Sequence, residues 1–408
     1  MRPTASADVS AASPRIGAGL STAANGALAA ASAIGDALDG LAGARADLLM
    51  LFISPQFEDE LAGILERAVE RAEDAVIMGC TAGGVIGGSS EIEDAPAIAV
   101  WAASLPTTGV VPFRLTFQKE GEHGIIDGLD DMPSGDRGDV MVMLSDPFSF
   151  PADLLLDHLN EHAPGVPVIG GQSSGGLEAG RNVLISNGEI VRDGAVGVVL
   201  TGGTSISWLV SQGCRPIGET YGVTRAERNV IHELAGTPAL RRLEEVYAAA
   251  SPRDQLLMRR GVHVGQAISE LKPRLARGDF LIRNVMGIDP KTGAIAITDM
   301  VEVGQTIQFQ VRDADSARED LRLILDQQRR LDERPVVGAL LFSCNGRGQA
   351  LFGQPDHDIG AVHRAFGSVP VAGFFAAGEL GPVAGRNFLH GFTASVLVVR
   401  AGTSGPVG

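Results

Sequence analysis

The residues best suited to hold a small ligand lie near the C-terminal end of the chain, in two glycine-rich turns. Arg347 follows the turn signal Asn345-Gly346 at the end of an apolar run, and its planar fork of N–H donors can pair with a ligand carboxylate. Glu379 follows Gly378 in the second turn, and its carboxylate can pair with a ligand amine. These complementary charges predict a pocket for a small amino-acid-like ligand.

Thiol, amide, aromatic and glycine groups accompany the two charges, as they do in many small-molecule pockets. The predicted ligand-binding set is Cys344, Asn345, Arg347, Gly348, Phe374, Phe375, Gly378, Glu379 and Asn387. The alternative for Phe374 and Phe375 is that alternate positions of a strand simply fill the core. Cys344 is also a candidate nucleophile for an enzyme, although no base lies near it in sequence. His363 or His390 would have to approach the thiol in the folded chain.

Three other motifs have the spacing of a functional site but lack a residue or an element that such a site requires. Gly171, Ser173 and Gly175 match the G-x-S-x-G pattern of a nucleophile elbow, but the residues that follow read as loop and strand where that motif requires a helix. Three G-x-x-x-x-G spacings resemble a phosphate-binding loop, but none is followed by Lys-Ser or Lys-Thr. His158 and His162 have the i, i+4 spacing of metal ligands on a helix, without an apparent third ligand. We therefore predict neither a cofactor nor a metal site.

The composition bounds the class of protein. With 408 residues the chain is long enough for two or three domains, and its 45% hydrophobic content is ample for packed cores. The formal net charge of −16 repels nucleic acid and anionic membrane surfaces, so neither is an expected partner. The cysteines Cys80, Cys214 and Cys344 are far apart in sequence and predict no disulfide framework. A reducing cytoplasm is therefore the expected compartment.

An uncharged stretch at residues 16–35 has too few large aliphatic side chains to indicate a membrane span or a signal peptide. We interpret it as a strand over residues 15–21 that is followed by a helix. The side that this helix buries is predicted to carry Leu28, Ala31, Leu38 and Leu41. Residues 1–14 are expected to form a disordered tail and residues 401–408 a flexible one.

One arrangement occurs three times along the chain. An apolar run that reads as a buried strand ends at Ser54, Ser145 and Ser343. A helical pattern follows each run, at residues 58–72, 152–162 and 358–366. A second short strand then ends at Gly79, Gly170 and Gly373, and a further glycine follows at Gly84, Gly175 and Gly378. The unit strand–helix–strand–glycine turn–strand predicts a duplication with parallel neighbouring strands.

These units predict an α/β fold, with α+β as the alternative, made of two lobes of mixed β-sheets with flanking helices. Residues 225–260 read as helical, residues 279–311 as hairpins and residues 314–333 as an amphipathic helix. The change of texture near residues 215–225 predicts a boundary between the lobes. The predicted domains are residues 15–220 and residues 221–400.

Over residues 15–399 the chain resembles the FIST-domain family, named for F-box and intracellular signal transduction proteins. The most specific stretches of the resemblance are FSCNGRG (342–348), VPVAGFF (369–375), Gly378-Glu379, NFLH (387–390) and Thr393. The N-terminal half matches through residues 51–54, 77–84 and 168–176.

The resemblance implies a sensory input module, divided into FIST N-like and FIST C-like parts, that binds small ligands, with amino acids as the suggested class. It offers no catalytic machinery, and neither an output domain nor an F-box is apparent in this chain. We therefore expect a stand-alone cytoplasmic sensor that acts in signal transduction through a separate signalling protein. The alternatives are a Cys344-dependent enzyme and a protein-interaction scaffold without a ligand.

Overall fold

A computed structural model gives the fold of the chain and describes residues 13–120, 123–129, 132, 138–272 and 274–403. Residues 1–12 and 404–408, for which tails are predicted, lie outside this described part. Residues 401–403 form the end of the last strand.

The described chain alternates strands and helices throughout. The strands are β1 (Arg15–Ser21), β2 (Leu48–Ile53), β3 (Val76–Thr81), β4 (Gly84–Gly87), β5 (Ser90–Glu93), β6 (Ile98–Ser104), β7 (Thr108–Glu120), β8 (His123–Asp127), β9 (Val140–Ser145), β10 (Val168–Gln172), β11 (Leu184–Ser186), β12 (Glu189–Val191), β13 (Ala195–Gly202), β14 (Thr204–Gln212), β15 (Cys214–Glu227), β16 (Val230–Leu234), β17 (Thr237–Pro238), β18 (Val262–Ala267), β19 (Phe280–Asp289), β20 (Ala294–Ile297), β21 (Thr306–Arg312), β22 (Val336–Cys344), β23 (Val371–Ala376), β24 (Glu379–Val383), β25 (Arg386–His390) and β26 (Thr393–Thr403). The α-helices are α1 (Gly26–Asp39), α2 (Leu61–Arg71), α3 (Ala152–His162), α4 (Ala239–Ala249), α5 (Pro252–Arg260), α6 (Ala314–Leu331), α7 (Gly348–Phe352) and α8 (His357–Phe366), and a 3-10 helix (Pro55–Glu60) precedes α2.

The predicted α/β class is confirmed. The three apolar runs are strands β2, β9 and β22, and each pairs in parallel with the strand that follows its helix, namely β3, β10 and β23. All six residues of β2 and all six of β9 are buried, as expected for strands covered on both faces. The parallel pairs thus form the centres of mixed sheets with helices packed against them.

Three of the four sheets share one strand arrangement. Their orders are β1-β6-β2-β3-β11-β12, β8-β7-β13-β9-β10-β24-β25 and β14-β26-β22-β23-β4-β5. In each sheet, the first strand of the central parallel pair (β2, β9 or β22) pairs on its other side with an antiparallel strand. The second strand of the pair (β3, β10 or β23) pairs on its other side with a two-stranded hairpin. The predicted duplication stays a prediction, since a shared strand order describes the fold and not its history.

The hairpins are exchanged among these three sheets in a cycle. The early hairpin β4–β5 adds to the last of them by pairing with β23, while β11–β12 adds to the first by pairing with β3. The late hairpin β24–β25 adds to the middle sheet by pairing with β10. Each sheet is therefore completed by a segment from another part of the chain. The predicted boundary near residues 215–225 falls inside β15, and the division into two domains stays a prediction.

The repeated glycines let the paired parallel strands approach closely. A Cβ atom at Gly170 would lie 1.9 Å from the carbonyl oxygen of Met143, and one at Gly373 would lie 1.8 Å from that of Leu341. Gly79 meets the carbonyl of Leu51 in the same way. Any side chain at these positions would therefore push the central strands apart.

The fourth sheet has the order β15-β21-β18-β19-β20-β16-β17 and contains the predicted hairpins of residues 279–311. The helical prediction for residues 225–260 is wrong in its first part, because residues 225–238 form the end of β15, the strands β16 and β17 and the turns between them. Arg228 has φ +55°, so the chain reverses there into an antiparallel pair. Helices α4 and α5 occupy only the remainder.

The main core forms where the faces of the first three sheets meet. Phe52, Phe342 and Phe374 pack together there, with the rings of Phe52 and Phe374 stacked at 5.2 Å. Among the described residues, no helix has both the length and the apolar character needed to cross a bilayer.

Candidate functional site

The arginine-bearing turn connects β22 to the short helix α7. The amide of Asn345 donates to the Ala376 carbonyl, so the turn is held to the end of the neighbouring strand β23. Asn345 is exposed and Gly348 is buried. A Cβ at Gly348 would lie 2.1 Å from Oε2 of Glu93, whose other carboxylate oxygen, Oε1, accepts a hydrogen bond from the amide of Gln349 at 2.8 Å.

Arg347 lies inside the protein and is already paired. Its Nε donates to Asp358 Oδ2 at 2.7 Å and its Nη2 donates to Asp358 Oδ1 at 2.9 Å, and both side chains are buried. Burial alone would raise the pKa of Asp358, but the Arg347 charge and its hydrogen bonds, with one from His357, hold that pKa well below its usual value. The guanidinium is therefore occupied by an internal carboxylate.

Glu379 is also fully buried. Its Oε2 accepts from the amide of Thr393 at 3.0 Å and from the Thr393 hydroxyl at 2.7 Å. Burial raises the pKa of Glu379 to about 8, and the Thr393 hydrogen bonds and the Arg347 charge offset only part of that rise. The two predicted turns thus converge, but within packed protein.

Two polar atoms in this buried cluster lack a hydrogen-bond partner within the described residues. They are Nη1 of Arg347 and Oε1 of Glu379. Neither side chain lines either of the cavities described below. The ligand-binding role of these two residues stays a prediction.

The Cys344 thiol has the properties of a structural cysteine. It is buried, and burial, followed by the nearby Glu379 charge, raises its pKa to about 12. Little thiolate therefore exists at neutral pH, whereas a nucleophilic cysteine requires a lowered pKa. Phe374 belongs to the central core, and Phe375 packs on the other face of β23 against α6 and α8.

A cavity of about 490 Å³ opens beside these turns, between the middle sheet and the fourth sheet. One wall consists of the start of α3, the end of β10 at Gln172 and the strand β25. The other wall consists of residues 281–284 of β19 and residues 298–299. Two of the predicted residues, Gly378 and Asn387, line this cavity.

The cavity lining carries three carboxylates and one guanidinium. Asp153 and Asp157 lie one turn apart on α3, and Asp299 lies on the opposite wall. The pKa of Asp157 is raised, first by partial burial and then by the charges of Asp153, Asp299 and Glu161, although Arg386 opposes the rise. The carboxylates therefore repel one another, and a ligand with a positive group would relieve that repulsion.

Arg283 is the guanidinium of the lining. Its Nε donates to Asp299 Oδ2 at 2.7 Å and its Nη1 donates to the Leu389 carbonyl at 2.9 Å. Within the described residues its Nη2 makes no hydrogen bond, so one donor of the fork is spare. The carboxamide of Gln172 likewise has no protein partner there, while its backbone is fixed by Gly378 and Ala377.

The turn that closes the cavity is conformationally strained. Phe392 has φ +64°, which is an outlier for a bulky side chain, and its ring packs at 4.3 Å from that of His263. His390 donates from Nε2 to the Gly381 carbonyl at 2.8 Å, which leaves Nδ1 as its acceptor. Burial, with a smaller effect of the Arg283 charge, lowers the pKa of His390 to about 4, so the ring is neutral at pH 7.

Comparison with known proteins identifies the family. The FIST N domain profile matches residues 47–237, and the FIST C domain profile matches residues 239–382. The chain belongs to the FIST family. FIST domains are sensory, ligand-binding modules. The resemblance seen in the sequence is therefore confirmed.

Mycobacterial relatives match along nearly the whole chain. Uncharacterized protein Rv0628c of Mycobacterium tuberculosis (strain ATCC 25618 / H37Rv) is 46% identical over 384 residues, covering 94% of this chain and 98% of the relative. Uncharacterized protein Mb0898c of Mycobacterium bovis (strain ATCC BAA-935 / AF2122/97) is 42% identical over 384 residues, with the same two coverages.

Sequence reasoning about this FIST chain missed most of the cavity lining. Gln172 stands within the GGQSSGG segment, next to Ser173 of the G-x-S-x-G pattern. Arg283 and Asp299 lie in the predicted hairpins of residues 279–311, where an arginine within the apolar run FLIRNVM is the one sequence signal of a polar site. The histidines of α3 stack on each other at 4.2 Å, and the described residues contain no cluster suited to a metal ion.

Asn387 was predicted to contact ligand, and its amide makes internal bonds. Its Oδ1 accepts from the Val168 amide at 2.8 Å and its Nδ2 donates to the Val166 carbonyl at 2.8 Å. Its backbone exchanges two hydrogen bonds with the side chain of Asn160. Asn387 thereby fixes β25, the back of the cavity, to α3 and β10.

Proposed function

We propose that this FIST chain is a cytoplasmic sensor that binds a small zwitterion of the amino-acid type in the 490 Å³ cavity between the middle and fourth sheets. The observation that carries the proposal is the lining of this cavity, which combines three carboxylates with one partly unpaired guanidinium. The volume is within the range of small-molecule sites, and the walls are already formed.

The acidic side of the cavity suits the ligand amine. Asp157 is the best partner because its pKa is raised by its surroundings, so an ammonium group would stabilise its ionised form. Asp153, on the same face of α3, would add a second acceptor. A ligand that carries only a negative charge would instead add to the repulsion.

The basic side suits the ligand carboxylate. Arg283 is held by two hydrogen bonds, so its guanidinium is positioned before a ligand arrives, and Nη2 remains as a charge-assisted donor. The Gln172 carboxamide supplies a neutral donor and acceptor on the opposite wall.

Binding in this position would join two separate parts of the fold. Asp157 and Gln172 belong to the middle sheet and its helix, whereas Arg283 and Asp299 belong to the fourth sheet and its loops. A ligand that bridges the two walls would favour one relative arrangement of these sheets, which is a change that a separate signalling protein could recognise. The three cysteines are free and buried, which suits a reducing compartment.

Isothermal titration calorimetry with a panel of the natural amino acids tests the ligand class. We expect saturable binding of at least one member, and weaker binding of its decarboxylated and N-acetylated analogues. Asp157→Asn should weaken the amine-dependent part and Arg283→Gln the carboxylate-dependent part. The matched control Asp36→Asn, at an exposed position of α1, should bind as the wild type does.

The alternative functions make different predictions for the same titration. If no amino acid or analogue binds, the proposed ligand class is wrong and the interaction scaffold is the remaining hypothesis. The enzyme hypothesis receives no support from Cys344, because its thiol is buried and its pKa is about 12. Rapid modification of that thiol by iodoacetamide at pH 7 in the folded protein would revive it.

A further inference from the structure

A second depression, of about 430 Å³, lies between helices α6 and α8 on another part of the surface. Its sides are two helical stripes. Arg318, Arg322 and Asp326 follow one another at four-residue intervals along α6, and Ala361 and Ala365 do so along α8. The small alanines leave the space open, because longer side chains at these positions would fill it.

Three arginines face this groove. Arg318 donates from Nη2 to the Phe352 carbonyl at 2.6 Å and its guanidinium lies 5.6 Å from the Phe352 ring centre, so its position is fixed. Arg322 contacts Asp326 at 3.1 Å, and its side chain is 62% exposed. Arg364, on α8, is exposed and has no ion pair or hydrogen bond within the described residues.

The charge of the groove is opposite to that of the whole chain. Its lining has three guanidinium groups and one carboxylate, in a protein whose formal net charge is −16. The Arg318–Asp315 pair is exposed, and the Arg322–Asp326 pair lies at the surface with Asp326 half-buried; surface pairs of this kind contribute little to stability. An anion with several oxygens can therefore replace or share these contacts at small cost.

We propose that the groove between α6 and α8 binds the phosphate group of a small phosphorylated molecule through Arg318, Arg322 and Arg364. The oxygens of a phosphate dianion are enough to accept hydrogen bonds from all three guanidinium groups, whereas a carboxylate has only two oxygens. The floor is apolar, formed by Leu325, Ala361 and Ala365, and it provides room for the organic part of such a ligand.

One end of the groove is held rigid by the interior. The ring of His357 stacks on that of Phe352 with centroids 3.5 Å apart, and its Nδ1 bonds to Asp358 Oδ1 at 2.8 Å. Asp358 is also the partner of Arg347. The anion site would therefore be built on a fixed wall and not on a loop, which favours a defined binding geometry.

Titration with inorganic pyrophosphate, at an ionic strength held constant with KCl, tests this site without knowledge of the organic part. We expect saturable one-to-one binding by calorimetry. Arg364→Gln should weaken it by about tenfold or more, because one set of charge-assisted hydrogen bonds is lost. Ala365→Glu, which adds a negative charge to the floor, should abolish it.

The matched control is Arg330→Gln, since Arg330 is an exposed arginine of the same helix outside the groove. Equal weakening by Arg330→Gln and Arg364→Gln, or the absence of saturation, would overturn the proposal in favour of general charge attraction. Tighter binding of poly-glutamate than of pyrophosphate, lost in Arg364→Gln, would overturn it in favour of an acidic protein segment. Pyrophosphate is not an amino acid and the groove is separate from the cavity, so its binding is independent of the function proposed above.

Discussion

The cavity beside α3 and the groove between α6 and α8 differ in charge and in construction. The cavity has an excess of carboxylates and is assembled from segments between residues 147 and 392. The groove has an excess of guanidinium groups and comes from two neighbouring helices within residues 318–365. A single acidic chain thus presents two surfaces of opposite charge.

The comparison separates polar groups whose hydrogen bonds and charges are used within the fold from polar groups that can still contact a ligand. Between the two sites lies the buried cluster of Arg347, Asp358 and Glu379, which is linked to the groove through His357 and to the cavity through Gly378. Its charges are paired or suppressed by burial, whereas those of the two depressions keep donors and acceptors available.

The largest effect is expected from breaking the buried pair. Asp358→Ala leaves the Arg347 guanidinium buried without a counter-charge, so we expect the free energy of unfolding to fall by roughly 3–5 kcal/mol. Urea unfolding measures it, with the exposed Asp36→Asn as the control. A decrease of less than about 1 kcal/mol in the free energy of unfolding would mean that the Arg347–Asp358 pair contributes no more to stability than an exposed ion pair does.

The second effect depends on pH. The pKa of the Glu379 carboxyl rises from its ordinary value of 4.5 to about 8 on folding, so its contribution to stability is fully present below pH 4.5. That contribution is lost progressively as the pH rises from 4.5 through 8, because over this range the unfolded chain has released the proton that the folded protein still holds on Glu379.

Glu379→Gln should remove this dependence. The wild-type minus variant difference in the free energy of unfolding should decrease by roughly 4 kcal/mol between pH 4.5 and pH 9. Paired urea titrations at several pH values measure it. If this difference does not change with pH, the Glu379 carboxyl is accessible to solvent and has to be counted with the polar groups of the cavity.

A smaller effect on stability, but a clear one on binding, is expected at the cavity. A Cβ at Gly378 would lie 2.7 Å from Gln172 Oε1 and 2.8 Å from Leu389 Cδ1, both at the ends of flexible side chains. Gly378→Ala should therefore lower the free energy of unfolding by about 1 kcal/mol or less. Displaced side chains should weaken amino-acid binding by roughly tenfold, and pyrophosphate binding should stay unchanged.

The smallest effect is expected in the groove. Arg364→Gln should change the free energy of unfolding by less than about 0.5 kcal/mol, because an exposed arginine that has no partner among the described residues contributes little. Thermal unfolding without added anions measures this change. The control Arg330→Gln gives the change expected for an exposed arginine of the same region that lies outside the groove. A loss above about 1 kcal/mol would show that Arg364 supports the fold, which would remove the contrast between the groove and the buried cluster.

The central strands and most helices could be predicted from the sequence, because long apolar runs and helical periodicity report burial directly. The helix α3 begins and ends at the predicted residues, Ala152 and His162. The predicted face of α1 is wrong at Leu28, which is 65% exposed, whereas Leu41, just after the helix, is buried as predicted and alanines fill most of the buried side. The reason is close packing, because the backbone of β1 at Gly17 approaches α1 so nearly that only small residues fit between them.

The candidate site could be predicted only in part. The sequence indicated that the turns at Arg347 and Glu379 meet, and their charges do interact. Nothing in the spacing showed that Asp358 would capture Arg347, since that depends on how α8 packs on β22. The cavity lining was missed because Gln172 and Arg283 come together only through the pairing of distant segments.

The cyclic exchange of hairpins has a consequence for synthesis on the ribosome. The hairpin β4–β5 emerges early, but its partner β23 follows roughly 280 residues later, a delay of about 15–60 s at ordinary elongation rates. During that interval the edge of β4, with Val85 and Ile86, has no strand to pair with, and it is a template for intermolecular association. The nascent chain should therefore depend on a chaperone until its last quarter has been translated.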